Sequence, residues 1–339
     1  HWTRHKTIPL CALKELNINT KDINLDELKI GVYSSQNELP LKINIDNNFS
    51  KLLGYYAAEG TTTTGGRVMF SFGYHENNYI NEVKNTIKDV FGINCQEYKE
   101  HNSAIQIVAT SKLLSVLFKD ILKAGSNAHN KRIPNIIYSL PMENKLSFLQ
   151  AYINGDGWPL IREDERMIRP QVCISTSSVN SDLSYDVIAL LSQLGYHGNY
   201  QEVLIKGHEI KKIEKFVKDS IQTRCNITNP ETAFKLGYLK NITKNKGKGA
   251  IEKFIPAPQE YRKEWKSRKR IRIEKELALK IAQKYNDKNL MKLAKAPFIY
   301  LRVISKNRVK PTNGFAYDLS IPECENFVGG RGGIFLHNT

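Results

Sequence analysis

The sequence predicts an α+β protein built from two copies of one unit, on three observations. Two apolar segments, LLGYYAAEG (Leu52 to Gly60) and LQAYINGDG (Leu149 to Gly157), share the pattern of a helix closing on an acid and a glycine. An alternating, strand-like stretch follows each of them, Arg67 to Phe72 in the first and Arg169 to Ser175 in the second. Each copy then runs into a helical pattern ending on glycine, Glu82 to Gly92 and Tyr185 to Gly195.

The remaining elements repeat in the same order. Further strands are expected at Ser103 to Ala109 and Asn199 to Ile205, and further helices at Ser111 to Ala124 and His208 to Ser220. Each copy closes on Lys-x-Ile-Pro, Lys131 to Pro134 and Lys253 to Pro256. A short motif arises easily by chance; the same motif at corresponding places in two divergent copies does not.

Composition narrows the class. A chain of 339 residues and 38.8 kDa exceeds one ordinary core, so two or three packed units are expected. With 41% hydrophobic and 25% charged residues it is globular material, and no apolar run approaches the roughly 20 residues that cross a bilayer, so no membrane partner is expected. Five scattered cysteines without a CxxC pair argue against a disulfide framework or a zinc site and point to a reducing, cytoplasmic setting. His1 stands where an initiating Met or signal core would, so the chain is expected to begin inside a longer translation product. A net charge of +16 favours a polyanionic partner through counterion release, nucleic acid foremost.

The two acidic motifs read as halves of one site. Gly54 and Ala58 are four residues apart, as are Ala151 and Gly155, which lays a stripe of small residues on one face of each helix and lets the two backbones touch. Glu59 and Asp156 then meet at one end of the helix pair, in last turns where the macrodipole disfavours negative charge, with Gly60 and Gly157 suited to the left-handed position beyond. Two carboxylates so placed repel each other, and divalent cations offset that cost. Phosphodiester cleavage needs such an arrangement, with Lys131 and Lys253 suited to neutralising the phosphate. Either motif alone is what a common core helix looks like, and either lysine alone reads equally as solvated charge; repetition is what points to chemistry.

These residues resemble the LAGLIDADG homing endonucleases, in the single-chain, two-motif form found inside inteins, over about Ile45 to Pro258. The resemblance implies a pseudo-two-fold pair of αββαββα units whose motif helices form the central interface, with two antiparallel sheets making a saddle over double-stranded DNA. It implies Glu59 and Asp156 as ligands of a divalent cation such as Mg2+, and Lys131 as the family's lysine; Lys253 is its counterpart by the repeat. On that fold Val68, Phe70, Phe72, Val172 and Ile174 read as core, and Arg67, Ser71, Arg169, Gln171 and Ser175 as the DNA face, joined by Arg132. Two motifs in one chain imply a monomer.

The chain ends resemble the all-β Hint splicing fold of inteins. Tyr317 to Ser320 and Glu325 to Val328 look like its strands, and His337-Asn338-Thr339 like its junction. By that resemblance the Asn338 amide attacks its own carbonyl to form a succinimide, His337 assists by hydrogen bonding or proton transfer, and Thr339 supplies the acceptor hydroxyl. Asp318 reads as an assisting acid or as a turn residue, and Asn326 stands where many inteins have histidine. With His1 in place of a starting Cys or Ser, complete splicing by this chain is not expected. The organisation expected is a splicing segment over 1–44, an endonuclease over 45–258 (repeats 45–141 and 142–258), a basic helical linker or accessory DNA-binding region over 259–298, and splicing strands over 299–339. Cleavage at a host-gene site lacking the insert, with the host protein's flanks as partners in cis, is the function implied. A decayed, DNA-binding insert and an RNA maturase are the alternatives.

Overall fold

The computed structural model describes residues 7–16, 24–32, 37–100, 104–162, 171–195, 199–205, 209–210, 215–216, 220–227, 254–256, 258–264, 272–296, 298, 300, 303, 305–315, 317–322, 325–330 and 334–337. Of the expected site residues, Lys253, Arg169, Asn338 and Thr339 lie outside the described residues, as do the side chains of Gln171, Val172, Ile174 and Ser175.

Helix α1 (Asn47–Glu59) opens on Asp46, whose carboxylate accepts the Phe49 N–H at 2.8 Å. Its residues from Phe49 to Ala58 are buried on nearly every side apart from Lys51, as befits a helix at the centre of a core rather than on its surface. It passes directly into β1 (Gly60–Thr62), followed by β2 (Arg67–Gly73), α2 (Asn77–Phe91), β3 (Gln96–Glu100) and β4 (Ala104–Thr110). Helix α3 (Lys112–Val116) continues as a π-helical turn over Leu117–Ile121, and α4 (Asn135–Ser139) leads to the second motif helix, α5 (Met142–Asp156). The second copy runs β5 (Gly157–Arg162), β6 (Gln171–Ser178), α6 (Ser181–Gln193), β7 (Asn199–Ile205) and β8 (Ser220–Ile227).

The duplication is visible in the topology. The first sheet has the order β1-β2-β4-β3 and the second β5-β6-β8-β7, so each is antiparallel with its third and fourth strands exchanged in space. Alternation sorts the first sheet as expected: Val68, Phe70 and Phe72, with Ile107 and Ala109 from β4, are buried against the helices. Tyr56 meets Phe70 edge-on at 6.0 Å between ring centroids, and Tyr55 meets Phe72 at 5.8 Å, which fixes how α1 lies on the sheet. One continuous core joins both copies, from Leu39 through Leu191, with Phe148, Leu149, Tyr152 and Ile153 from α5 inside it.

Three expectations are corrected. His208 to Ser220 is not a helix where it is described: Glu209–Ile210 and Lys215–Phe216 pair as a short antiparallel hairpin, and Ser220 already belongs to β8. Tyr317 to Ser320 is not a strand; Tyr317 is 80% exposed and Leu319 56%, and the segment has no partner strand among the described residues. Gly60 and Gly157 are not left-handed but extended, at φ −80° and −90°. Each motif helix turns straight into a strand, and glycine is needed for room: a Cβ at Gly60 would lie 2.2 Å from the Tyr56 ring, and one at Gly157 2.4 Å from the Ile153 carbonyl oxygen.

A second, smaller core lies towards the C-terminal end. Phe254–Pro256 pairs antiparallel with Arg272–Glu274, and Ile255 and Ile273 pack with α7 (Lys275–Tyr285) and α8 (Lys288–Lys295) through Ala278, Ile281, Ala282, Leu290 and Ala294. The two Lys-x-Ile-Pro motifs therefore part company, since Ile133 sits in the main core and Ile255 in this one. The final hairpin pairs Asn326–Gly329 with Ile334–His337, placing Asn326 opposite His337. Among the described residues, no helix is long and apolar enough to cross a membrane.

Candidate active site

Helices α1 and α5 meet backbone to backbone through the small residues. A Cβ at Gly54 would lie 2.2 Å from the Phe148 carbonyl oxygen and 2.9 Å from the Ala151 methyl; one at Gly155 would lie 2.5 Å from the Ala58 methyl. Glu59 is folded over the same spot, its carboxylate oxygen 3.5 Å from that Gly155 position. The contact brings Glu59 and Asp156, the last residues of the two helices, to one end of the pair, where both are half-buried.

Burial pushes the Glu59 carboxyl up to about 7, with Lys131 opposing the rise and the charge of Glu76 adding to it. Burial raises Asp156 as well, Glu59 adding to the rise and Lys131 opposing it. Lys131, the only buried lysine among the described residues, is 6% exposed and donates from Nζ to the Ala58 carbonyl at 2.5 Å. Desolvation draws its ammonium below the usual lysine range, while Asp156 and Glu59 hold it up. Among the described residues, Lys131 is the cation that acts on both carboxylates.

The loop that delivers Lys131 is tied from both sides. Tyr56 donates its hydroxyl to the Gly125 carbonyl at 2.7 Å, Thr61 and the Thr62 N–H donate to the Ser126 carbonyl at 2.9 and 3.0 Å, and Asn130 accepts the Ser126 N–H at 2.8 Å. Gly125 has φ +81° and a Cβ there would sit 2.2 Å from the Asn130 carbonyl oxygen, so the turn requires glycine. From the second copy, Asn180 donates to the Lys131 carbonyl at 2.6 Å while its own side-chain oxygen caps α6. Arg132, expected on the DNA face, is held instead by Asp186 of α6, donating from Nε and Nη2 at 2.6 and 2.8 Å, and the Ile133 N–H adds a third bond to the same carboxylate.

The open face of the first sheet carries Arg67, exposed, and Ser71, half-buried. Strand pairing sets Ser71 beside Gln106 and Gln106 beside Tyr98, with Gln96 beside Val108 one step along. Gln96, Tyr98 and Gln106 were not singled out from the sequence, although alternation along β3 and β4 carried the signal. At the C-terminal end, His337 is exposed and its Nε2 lies 3.7 Å from a Glu325 carboxylate oxygen. Asp318 accepts the N–H of Leu319 at 2.8 Å, as a turn residue does.

No protein-family profile matches the chain. Among curated proteins it is similar to transcription initiation factor IIB of Methanocaldococcus jannaschii, with 29% identity over 321 residues, 94% of this chain and 34% of that protein. It is also similar to a DNA polymerase of Thermococcus litoralis, with 28% identity over 323 residues, 93% of this chain and 17% of that protein. The chain spans about a third or less of the length of these relatives. Among solved structures, it is similar to the homing endonuclease I-DmoI in complex with DNA and Ca, at 15% identity and a TM-score of 0.37, over 56% of this chain and 87% of that one.

Proposed function

We propose that the chain is an intein bearing a site-specific, divalent-cation-dependent DNA endonuclease of the LAGLIDADG type, which makes a double-strand break at the host-gene site that lacks the insert. The observation that carries this is the pairing of Glu59 and Asp156 at one end of two repeat-related helices, with Lys131 beside them. A structural role gives no reason to gather two half-buried acids at helix C-termini, where burial, mutual repulsion and the macrodipole all act against their charge.

The donor set fits a hard cation. Mg2+ takes one or two carboxylates and completes its shell with water and substrate phosphate oxygens, so two acids suffice, and the described residues hold no cage of three or more His, Cys, Asp or Glu. A bound cation supplies Lewis acidity and a water acidified towards hydroxide. Glu59 and Asp156, one from each copy, would hold the cation, and Lys131 would offset negative charge on the phosphate. Arg67, Ser71, Gln96, Tyr98 and Gln106 present hydrogen-bonding groups that hold a duplex over the first sheet, and Gln171 and Ser175 occupy matching strand positions in the second.

The splicing part of the reading draws on coverage. Nearly the whole chain matches a fraction of proteins as different in name as an initiation factor and a polymerase, which is what a segment inserted into unrelated hosts produces. The Asn326–Gly329 and Ile334–His337 hairpin ends one residue before Asn338, whose cyclisation would release the downstream segment beginning at Thr339, with His337 assisting. The flanking host segments are then partners in cis.

The test incubates the purified chain with Mg2+ and plasmids carrying uninterrupted host-gene junctions. Cleavage at one junction is expected, abolished in both Glu59→Gln and Asp156→Asn while duplex binding survives, since each variant removes a cation ligand and leaves the basic surface intact. Normal cutting by both variants overturns the assignment; binding without cutting by the parent chain identifies a decayed insert.

A further inference from the structure

We propose that the C-terminal helical unit is a second duplex-DNA contact, made by α8 through Lys288, Lys292 and Lys295, separate from the sheet surface beside the carboxylates. Between Pro258 and Ala296 stand 13 Lys and Arg against 5 acids, so 39 residues carry half of the chain's net charge of +16. The unit has its own core and does not draw on the main one. It is built as two helices joined by two residues. Asn286 takes the left-handed conformation at φ +52°, and Asp287 caps α8 by accepting the Leu290 N–H at 2.9 Å while bonding the Tyr261 hydroxyl at 2.8 Å. Asp287 thus ties the junction both to α8 and to Tyr261.

Two of the three α7 lysines are occupied: Lys275 donates to the Ala296 and Phe298 carbonyls at 2.8 and 3.0 Å, and Lys284 pairs with Glu264 at 2.8 Å, while Lys280 is exposed. On α8, Lys288, Lys292 and Lys295 are exposed, lie three and four residues apart on one face, and meet no acid among the described residues. Leu290 and Ala294 fill the inner face, and Leu293, 47% exposed, lies on the flank beside Leu290. A helix some 10–12 Å across fits the B-DNA major groove, where lysines on one face reach phosphates. Three exposed cations on one helix face, with no acid partner among the described residues, match the closely spaced phosphates of duplex DNA.

The choice of duplex rests on the function proposed above, and the test separates the two. Fluorescence anisotropy measures binding of the full chain to a 30-bp duplex across a salt series, without Mg2+. In the triple variant Lys288→Ala/Lys292→Ala/Lys295→Ala, affinity at low salt is expected to fall about tenfold or more, and the log–log salt slope to become shallower by roughly 2–3, at about 0.9 per phosphate contact. A charge-matched control, Lys306→Ala/Arg308→Ala/Lys310→Ala, also takes away three exposed cations, and its slope is expected to change little. Parent-like affinity and slope in the α8 variant, an equal effect in the control, or stronger binding to single-stranded RNA than to duplex each overturns the proposal. With Mg2+ and saturating protein the α8 variant still cuts; a parent chain that binds but does not cut sinks the nuclease reading and leaves this binding comparison intact.

Discussion

Glu59 and Asp156 set the electrostatic character of the protein. In the folded chain burial holds the Glu59 carboxyl near 7, well above its ordinary 4.5, and Asp156 moves in the same direction. A carboxyl raised on folding contributes stability that is fully present below its unfolded value and is lost as pH rises through its folded value. Without divalent cations, the melting temperature is therefore expected to fall between about pH 4.5 and 7. Thermal melts in chelator check this, and Glu59→Gln should flatten the curve; a curve of the same steepness in that variant would remove Glu59 as its source. Mg2+ should restore stability above pH 7, where both acids are ionised and a cation binds the folded state alone.

The motif helices work as a pair, and their spacing is set by glycine. Replacing Gly54 by Ala places a methyl 2.2 Å from a backbone carbonyl of α5, which cannot move aside as a flexible side chain would. The helices must separate, at a cost of about 1–3 kcal/mol and with Glu59 drawn away from Asp156. Urea denaturation is expected to show that loss and cleavage to fall with it, whereas Ala on the exposed side of α8 should leave the urea midpoint unchanged. The same reasoning explains the loop before α4: its lysine is buried because Tyr56, Thr61 and Asn180 hold three carbonyls around it, and α6 of the second copy grips its far end through Asp186.

Two copies in one chain bring Glu59 and Asp156 to one place within a single protomer. Each copy supplies one acid, and a continuous core joins the first sheet with helices of both copies. The chain is accordingly expected to sediment as a monomer of 38.8 kDa, with or without duplex, and a stable dimer carrying one site per pair would contradict this organisation. The basic charge is unevenly placed, concentrated beyond the second copy, so DNA affinity and cation-dependent cutting should be separable by mutation, with the salt slope following α8 and the cleavage rate following Glu59 and Asp156.

Much of this was legible in the sequence, because local patterns carry their own geometry. Four-residue spacing put Gly54, Ala58, Ala151 and Gly155 on facing stripes, period-two alternation separated Phe70 from Ser71, and repetition tied Glu59 to Asp156. These are rules of the helix and strand themselves and need no knowledge of neighbours. Other outcomes depended on what lay across the fold. Arg132 looked like a free cation until Asp186 arrived from the second copy, and Lys131 looked solvated until the Ala58 carbonyl and two carboxylates closed around it. Gly60 and Gly157 suited a left-handed cap by position, yet the strand that begins at each of them holds it extended, and a tyrosine or isoleucine one turn back explains the missing side chain. The hairpin inside His208 to Ser220 and the irregular Tyr317 to Ser320 were likewise decided by which strands were present to pair with them. Periodicity is a property of one segment, whereas pairing, burial and charge neutralisation belong to two, and only the tertiary structure brings the second into place.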